Sequence, residues 1–462
     1  MIRHNEPPSF AVKAIRACGL VLLAYTLAMT FLVPLGPGLD QVEVLRSQIT
    51  EQGGQYELRI AGLGTHFSTS QPKVFITARN ILDGEQTVLS ATHLKVADDT
   101  HLLCRVRLPK VVPAMSWNVY VNGAGDGTVS YANGFYATGL EAAPKSGLKD
   151  DKYVLSTLQE ADLPFHFPFQ PNIMESIRNL MLHVPMWFTM FLLMGISFAQ
   201  SLRVLRLGGN PDRDRRAVAA VKVGLWFGVL GLLTGSLWAR WTWGAWWVDD
   251  PQLNGAFVTV MVYAGYLVLR GSIQEPKLRE RLAAVYNLFG FLLLVVLLMV
   301  LPRFTESLHP GKGGNPAFSS YDLDSALRAV FYPAVLGWMI LGTWMYAVAL
   351  KVERLRANLD EARTHRGSWR AQLMIPALLL PAQATQGGQL EALFFADGKM
   401  PVVVGVAVII GVGLTVWWAI HLRRIRQLQL AWDALPSTDT TSEADSQFSD
   451  HTPLQDADTT NP

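Results

Sequence analysis

Seven apolar stretches divide this chain and dictate most of what it can become. The first, Ala17–Leu39, carries no charged residue and is long enough to cross a hydrocarbon core about 30 Å thick. Six more follow, at Leu180–Leu202, Ala217–Trp238, Asn254–Leu269, Ala283–Leu301, Val330–Leu350 and Val402–Ile420. The fold class expected is mainly α, a polytopic membrane protein. Only 16% of the 462 residues are charged and the net charge is +2, which argues against a nucleic-acid partner. The lipid bilayer is the first partner to name.

Orientation follows from the basic residues. Arg3, Lys13 and Arg16 precede the first stretch; Arg203, Arg206, Arg213, Arg215 and Arg216 separate the second from the third. Arg270, Lys277, Arg279 and Arg281 lie between the fourth and fifth, and Lys351, Arg354 and Arg356 follow the sixth. All these groups fall on one side if the N-terminus is cytoplasmic, the arrangement of a multi-pass protein of the bacterial inner membrane. The first stretch is too long for the core of a signal peptide and no clear small-x-small site follows it, so an uncleaved anchor is expected.

The organisation then reads as 1–39, a first transmembrane helix; 40–176, a periplasmic β-rich insert; 177–356, a five-helix core; 357–396, a linker; 397–431, one extra C-terminal transmembrane helix; and 432–462, a polar tail. In the insert, Tyr56–Ala61, Val74–Thr77, Leu102–Arg107 and Trp117–Val121 alternate apolar and polar residues, which predicts a small all-β sandwich. It shows no catalytic constellation. The tail is rich in Ser, Thr and Asp, a disorder-prone composition. The linker poses a topological puzzle. Arg423, Arg424 and Arg426 make the end of the last helix cytoplasmic, yet the preceding helix also ends there, so something between must cross outward. The one candidate is Leu373–Leu380, with Arg366 and Arg370 before it and Pro381-Ala382-Gln383-Ala384 after, a pattern like a signal-peptide core with a cleavage site.

Between the third and fourth stretches, Trp238, Trp241, Trp243, Trp246 and Trp247 fall within one outer segment that also holds Gly244, Asp249 and Asp250. An interfacial belt accounts for one or two Trp per helix end. Five suggest an apolar platform on which a large flat conjugated ligand stacks, a porphyrin being the obvious one. His183 and His309 lie at the same outer depth. Two imidazole nitrogens about 4 Å apart, one on each face of the iron, would bind a haem. Four other histidines, His66, His93, His101 and His166, lie in the insert, and spacing alone does not choose among them. The two cysteines, Cys18 and Cys104, form no C-x-x-C or C-x-x-C-H pattern, so the chain is neither a thioredoxin-like redox partner nor a c-type cytochrome. No Gly-rich phosphate loop, Ser-His-Asp candidate or H-E-x-x-H is found.

Trp243, Gly244, Trp246, Trp247 and Asp250, with His183 in a His-Val-Pro context before them and His309 after Ser-Leu behind, resemble the CcmC family, WWD-motif haem-handling proteins of system I cytochrome c maturation. The resemblance covers about residues 175–355 and the first helix. It implies a six-helix haem-handling bundle in which His183 and His309 are the axial ligands of a haem b. Trp238, Trp241, Trp243, Gly244, Trp246, Trp247 and Asp250 then line the haem at the periplasmic face. It implies a CcmE-like haem chaperone as recipient, CcmA/CcmB-like ABC transporter subunits as partners, and an assembly role with no conventional catalysis. The family's last Trp, its Arg and its Thr are replaced here by Asp249, Gln252 and Asn254. Arg240, Arg303 or Lys312 would then stand in for the missing propionate partner. Asp397-Gly398-Lys399-Met400-Pro401 followed by one helix and Arg423-Arg424 resembles CcmD, the small single-helix partner of CcmC, as though fused to this chain. Two other readings compete. One is a haem lyase resembling CcmF or CcsA, although those chains carry more helices or further His pairs. The other is a membrane-anchored binding module in which the β insert does the work.

Overall fold

Pro34, Gly36, Pro37 and Gly38 cannot prolong a helix, and they end the first one earlier than apolar composition alone suggests. In the computed structural model, which describes residues 9–79, 86–142, 165–169, 173–305, 307–309, 325–365 and 400–434, helix α1 spans Phe10–Leu32. Strand β1 begins at Gly38. The expected first stretch, Ala17–Leu39, is therefore corrected at both ends. Arg16 is helical, with its guanidinium 5.0 Å from the Trp344 ring centre, and Gly38 and Leu39 already belong to the insert.

The insert is a pair of four-stranded sheets. One has the order β1 (Gly38–Thr50), β2 (Gly53–Leu63), β6 (His101–Pro109), β5 (Thr92–Val96), and its neighbours are antiparallel. The other has the order β4 (Gln86–Ser90), β3 (Lys73–Arg79), β8 (Ser116–Gly123), β9 (Gly127–Tyr136). Alternate residues of β2, β6 and β8 point inward, and Tyr56, Leu58, Ile60, Cys104, Ile76, Trp117 and Val119 share one apolar cluster. Both sheets contribute to it, as in a sandwich. Burial pushes the Cys104 thiol up to about 12, and both cysteines are free. A further short pair, β7 (Val111–Val112) with β10 (Glu141–Ala142), is parallel and forms a sheet of its own.

The chain leaves and re-enters the sandwich side by side. Gly36 N–H donates to Phe167 O (2.8 Å) and Phe167 N–H to Pro34 O (3.0 Å). A Cβ on Gly36 would lie 2.2 Å from the His166 ring, so only glycine fits there.

Beyond a 3-10 helix at Met174–Met181 come α2 (Val184–Leu207), α3 (Pro211–Thr242), α4 (Pro251–Ser272), α5 (Pro276–Val295), α6 (Ser325–His365) and α7 (Met400–Asp433). Three of these open on proline at the first helical position. The residues before them, Asn210, Asp250 and Glu275, cap the helix by accepting from its first free N–H groups. Near Pro302, which has no N–H to give to Leu298 O, α5 passes through a π turn at Val296–Val300 into Leu301–Phe304. Among the described residues, seven helical spans are long and apolar enough to cross a membrane.

At the end of the bundle remote from the insert, ion pairs tie the helices together. Asp212 accepts from Arg354 Nε (2.9 Å) and Arg216 Nε (2.7 Å), Lys222 Nζ meets Glu353 (2.6 Å), and Arg270 pairs with Asp214. The basic residues used above to set orientation thus include several held in place by carboxylates. The linker segment Leu373–Leu380, the tail beyond 434 and Lys312 lie outside the described residues.

Candidate functional site

His183 stands where the 3-10 helix hands over to α2, and its position is heavily constrained. Its N–H donates to Asn179 O (2.7 Å). Its Nδ1 lies 2.8 Å from Thr234 Oγ1 on α3. Thr234 directs its own hydroxyl proton to Leu230 O (2.8 Å), as threonine does within a helix. The hydroxyl therefore accepts from Nδ1–H, and the lone pair of the neutral imidazole is left on Nε2. Trp238 meets the ring edge-on at 5.7 Å and Trp187 at 6.5 Å. A Cβ on Gly235 would come within 2.8 Å of His183 Cε1, so the missing side chain makes the room the imidazole occupies.

His309 is organised by a charge. Asp250 is 1% exposed and receives five hydrogen bonds. Oδ1 accepts from the Gln252 and Leu253 N–H groups (2.9 and 3.1 Å) and lies 3.1 Å from His309 Nδ1. Oδ2 accepts from Ser307 Oγ (2.8 Å) and Leu308 N–H (2.7 Å). Burial alone would raise the Asp250 carboxyl, but the bonds from His309, Leu308 and Ser307 outweigh it and hold the group well below the usual carboxylate range. One buried carboxylate thus caps α4, pins the 307–309 segment and fixes Nδ1 of His309 as the donor. Nε2 is again the free nitrogen. Trp243 packs edge-on to His309 at 5.1 Å.

The tryptophans divide between roles. Trp238 and Trp241 belong to the last turns of α3 and not to a loop, so the expected outer loop is shorter than its sequence suggests. Trp238 stands against His183 and Trp243 against His309, whereas Trp241 packs against the helical core. Trp246 and Trp247 are about half exposed. Gly244, at φ +79°, supplies the left-handed turn after Trp243, and its carbonyl accepts from Arg240 Nη1 (2.5 Å). Asp249 accepts from Asn254 Nδ2 (2.8 Å), and Asn254 Oδ1 accepts from Trp247 Nε1 (3.1 Å). Two of the motif replacements therefore brace each other and one tryptophan. Arg303 is exposed at the end of α5.

Sequence reasoning missed Trp187, Thr234, Gly235 and Ser307. It also missed the support beneath His183. Arg178 is 3% exposed, and its Nη1 donates to Thr30 O (2.8 Å) and Val33 O (2.5 Å), the last carbonyls of α1. Ser176 Oγ accepts from Trp238 Nε1 (3.2 Å), and Met181 O from Trp338 Nε1 (3.3 Å). Arg178→Met strands two carbonyls and Glu175, and should cost roughly 3 kcal/mol. A thermal melt in detergent checks this: the midpoint falls, and by more than in Arg178→Lys, which keeps the charge.

Chemically, two neutral imidazoles with both Nδ1 atoms engaged, set among tryptophans, suit a metal that brings its remaining ligands with it. Among the described residues no group of three His, Cys, Asp or Glu side chains is placed to hold a bare metal ion.

A family model described as heme exporter protein C, CcmC, matches residues 165–370. The heme exporter protein C of Bradyrhizobium diazoefficiens is 29% identical over 194 residues, 42% of this chain and 72% of that protein. Its counterpart in Escherichia coli is 28% identical over 205 residues, 44% of this chain and 77% of that protein. All of α1, nearly all of the insert, and α7 lie outside the matched family region.

Proposed function

The chain belongs to the CcmC family through residues 165–370, and from that premise we propose that it holds haem for cytochrome c maturation between His183 and His309. The site lies at the periplasmic face of the cytoplasmic membrane, the N-terminus being cytoplasmic, and the haem passes to a CcmE-like chaperone. The observation that carries this reading is the matched pair of Nδ1 anchors, Thr234 on one imidazole and Asp250 on the other. Both leave Nε2 as the ligating atom.

The residues divide the work by chemistry. His183 and His309 supply neutral nitrogen donors. Trp238 and Trp243 fix the planes of those rings from the side, and Trp246 and Trp247 offer half-exposed indole faces to a flat apolar cargo. The b-type haem itself supplies the four equatorial nitrogens and the iron. Asp250, already saturated by five donors, is a positioning residue and not a propionate partner, and its negative charge favours a firm His309–iron bond. Half-exposure of Trp246 and Trp247 is what a donor to another protein needs, because one edge of the cargo stays reachable. α7, resembling CcmD, serves as the assembly's link to CcmA/CcmB-like transporter subunits. No covalent chemistry is asked of the chain.

Transfer tests the reading. Haem-loaded protein in detergent, mixed with a purified CcmE-type chaperone, should lose its haem signal to the chaperone in a size-separated assay. Trp246→Ala with Trp247→Ala should slow transfer or lower loading. Haem that never leaves the wild-type protein under these conditions argues against the delivery step.

A further inference from the structure

Helix α7 lies outside the matched family region, yet it packs on the part of α3 that holds His183. Two glycines set the approach. A Cβ on Gly405 would lie 3.0 Å from Leu237 Cδ2, and one on Gly413 2.5 Å from Leu230 Cδ2, whereas one on Gly411 meets nothing within 4 Å. α7 therefore runs antiparallel to α3, with leucine side chains of α3 seated over its glycines. Val406 and Ile410, between those two positions, are buried in the apolar cluster of the bundle.

The stripe that α7 covers includes Thr234. Leu230, Thr234 and Leu237 are spaced at helical intervals, so all three share one side of α3. Thr234 is buried; its hydroxyl donates to Leu230 O and lies 2.8 Å from His183 Nδ1. On the adjoining stripe, a Cβ on Gly231 would lie 2.7 Å from Trp187 and one on Gly235 2.8 Å from His183. Thr234 thus stands at the seam between α7 and α2, and it reaches the imidazole from there.

The N-terminal end of α7 backs the second support. It packs against the 3-10 helix Met174–Met181, and Val402, Val403, Ile177 and Met181 belong to one cluster. Within that 3-10 helix, Asn179 O accepts the His183 N–H and Ser176 Oγ accepts from Trp238 Nε1. The ring and the backbone of His183 are therefore held by two elements that meet the same helix. A close-packed interior transmits small displacements, and a shift of about 1 Å carries the Thr234 contact beyond hydrogen-bond range.

We propose that Gly405 and Gly413 are positioning residues for the His183 imidazole. By admitting α7 close to α3 they keep Thr234 and the 3-10 helix in register, so that Nδ1 stays engaged and Nε2 stays aimed. No bond is made or broken. The consequence at the iron rests on the haem reading above; the packing itself is read in haem-free protein.

Full-length protein in mild detergent is compared with Gly413→Leu, with Gly413→Leu combined with Leu230→Ala, and with Gly411→Leu. Hydrogen exchange followed by mass spectrometry comes first, without haem. Peptides covering 174–183 should exchange roughly fivefold faster or more in Gly413→Leu, while those of the insert stay unchanged. Leu230→Ala should restore slow exchange by making room, and Gly411→Leu should match wild type. Gly405→Ala, a smaller intrusion, should shift the same peptides in the same direction, and it keeps the test readable should Gly413→Leu not fold. With haem, Gly413→Leu should turn part of the low-spin signal high-spin, with the same rescue. Unchanged exchange at 174–183, a rise spread evenly over the chain, or a loss that Leu230→Ala fails to restore overturns the inference. So does a low-spin spectrum in Gly413→Leu identical to that of wild type. The expected exchange pattern in a protein that takes up no haem supports the positioning role and sinks the haem reading alone.

Discussion

Asp250→Ala should abolish the low-spin haem signal and reduce haem retention by about 10–100-fold, the usual cost of losing a partner behind a metal-bound histidine. Three losses coincide. The α4 N-terminus loses its cap, worth about 0.5–2 kcal/mol. Ser307 and Leu308 lose their acceptor, so the segment carrying His309 is released. His309 loses the group that fixes its tautomer. Asp250→Asn separates these effects, because asparagine caps a helix equally well but offers no charge. It should keep the α4 cap but melt somewhat earlier, since an amide nitrogen cannot accept from Ser307 and Leu308, and it should lose ligand strength. The carboxylate is held below its ordinary range in the folded protein. Its stabilising contribution is thus complete above the unfolded value, near pH 4, and is lost as pH falls through the folded one. Haem titration and absorption spectra of both variants check the prediction. An Asp250→Ala protein with an unchanged spectrum would show that His309 needs no such anchor.

Gly235→Val should be nearly as damaging, for a steric reason. Even the Cβ of a new side chain would lie 2.8 Å from His183 Cε1. The imidazole has little freedom to retreat, with Thr234 holding Nδ1 and Trp238 and Trp187 on its edges. Overpacking of this kind costs about 1–3 kcal/mol, or roughly fivefold to 150-fold in retained haem. The spectrum should turn high-spin as one ligand leaves. Gly271→Val is the control, since a Cβ there meets nothing within 4 Å. Equal spectra for the two variants would remove His183 from the iron.

Hydropathy placed three helix starts at Ala217, Asn254 and Ala283, three to seven residues late, because the start signals sit in polar first turns that an apolar run does not include. Asn210-Pro211, Asp250-Pro251 and Glu275-Pro276 are written as caps followed by proline. Four strands were visible from alternation. β1 was not, because most of its length is exposed on both faces, and nothing in period-2 hydropathy marks such a strand. The end of α1 was misplaced because an apolar residue in lipid and one entering a sandwich look alike, and Pro34 is the better guide. At the site, the histidines and tryptophans were found through motif resemblance. Their supports were not, since Thr234 reaches His183 across 51 positions and Asp250 reaches His309 across 59. Those pairings exist only once the helices are in register. Arg178 looked like one more charged residue near a membrane surface, and only its burial against the end of α1 gives it a role.

The central claim is that one iron is shared by two imidazoles, and absorption spectroscopy tests it most directly. Protein purified in mild detergent from haem-replete cells would be recorded oxidised and reduced, beside His183→Ala and His309→Ala. The account predicts a low-spin bis-histidine spectrum in the wild type that weakens or turns high-spin in each variant. A preparation that takes up no haem, or spectra indifferent to both substitutions, would contradict it.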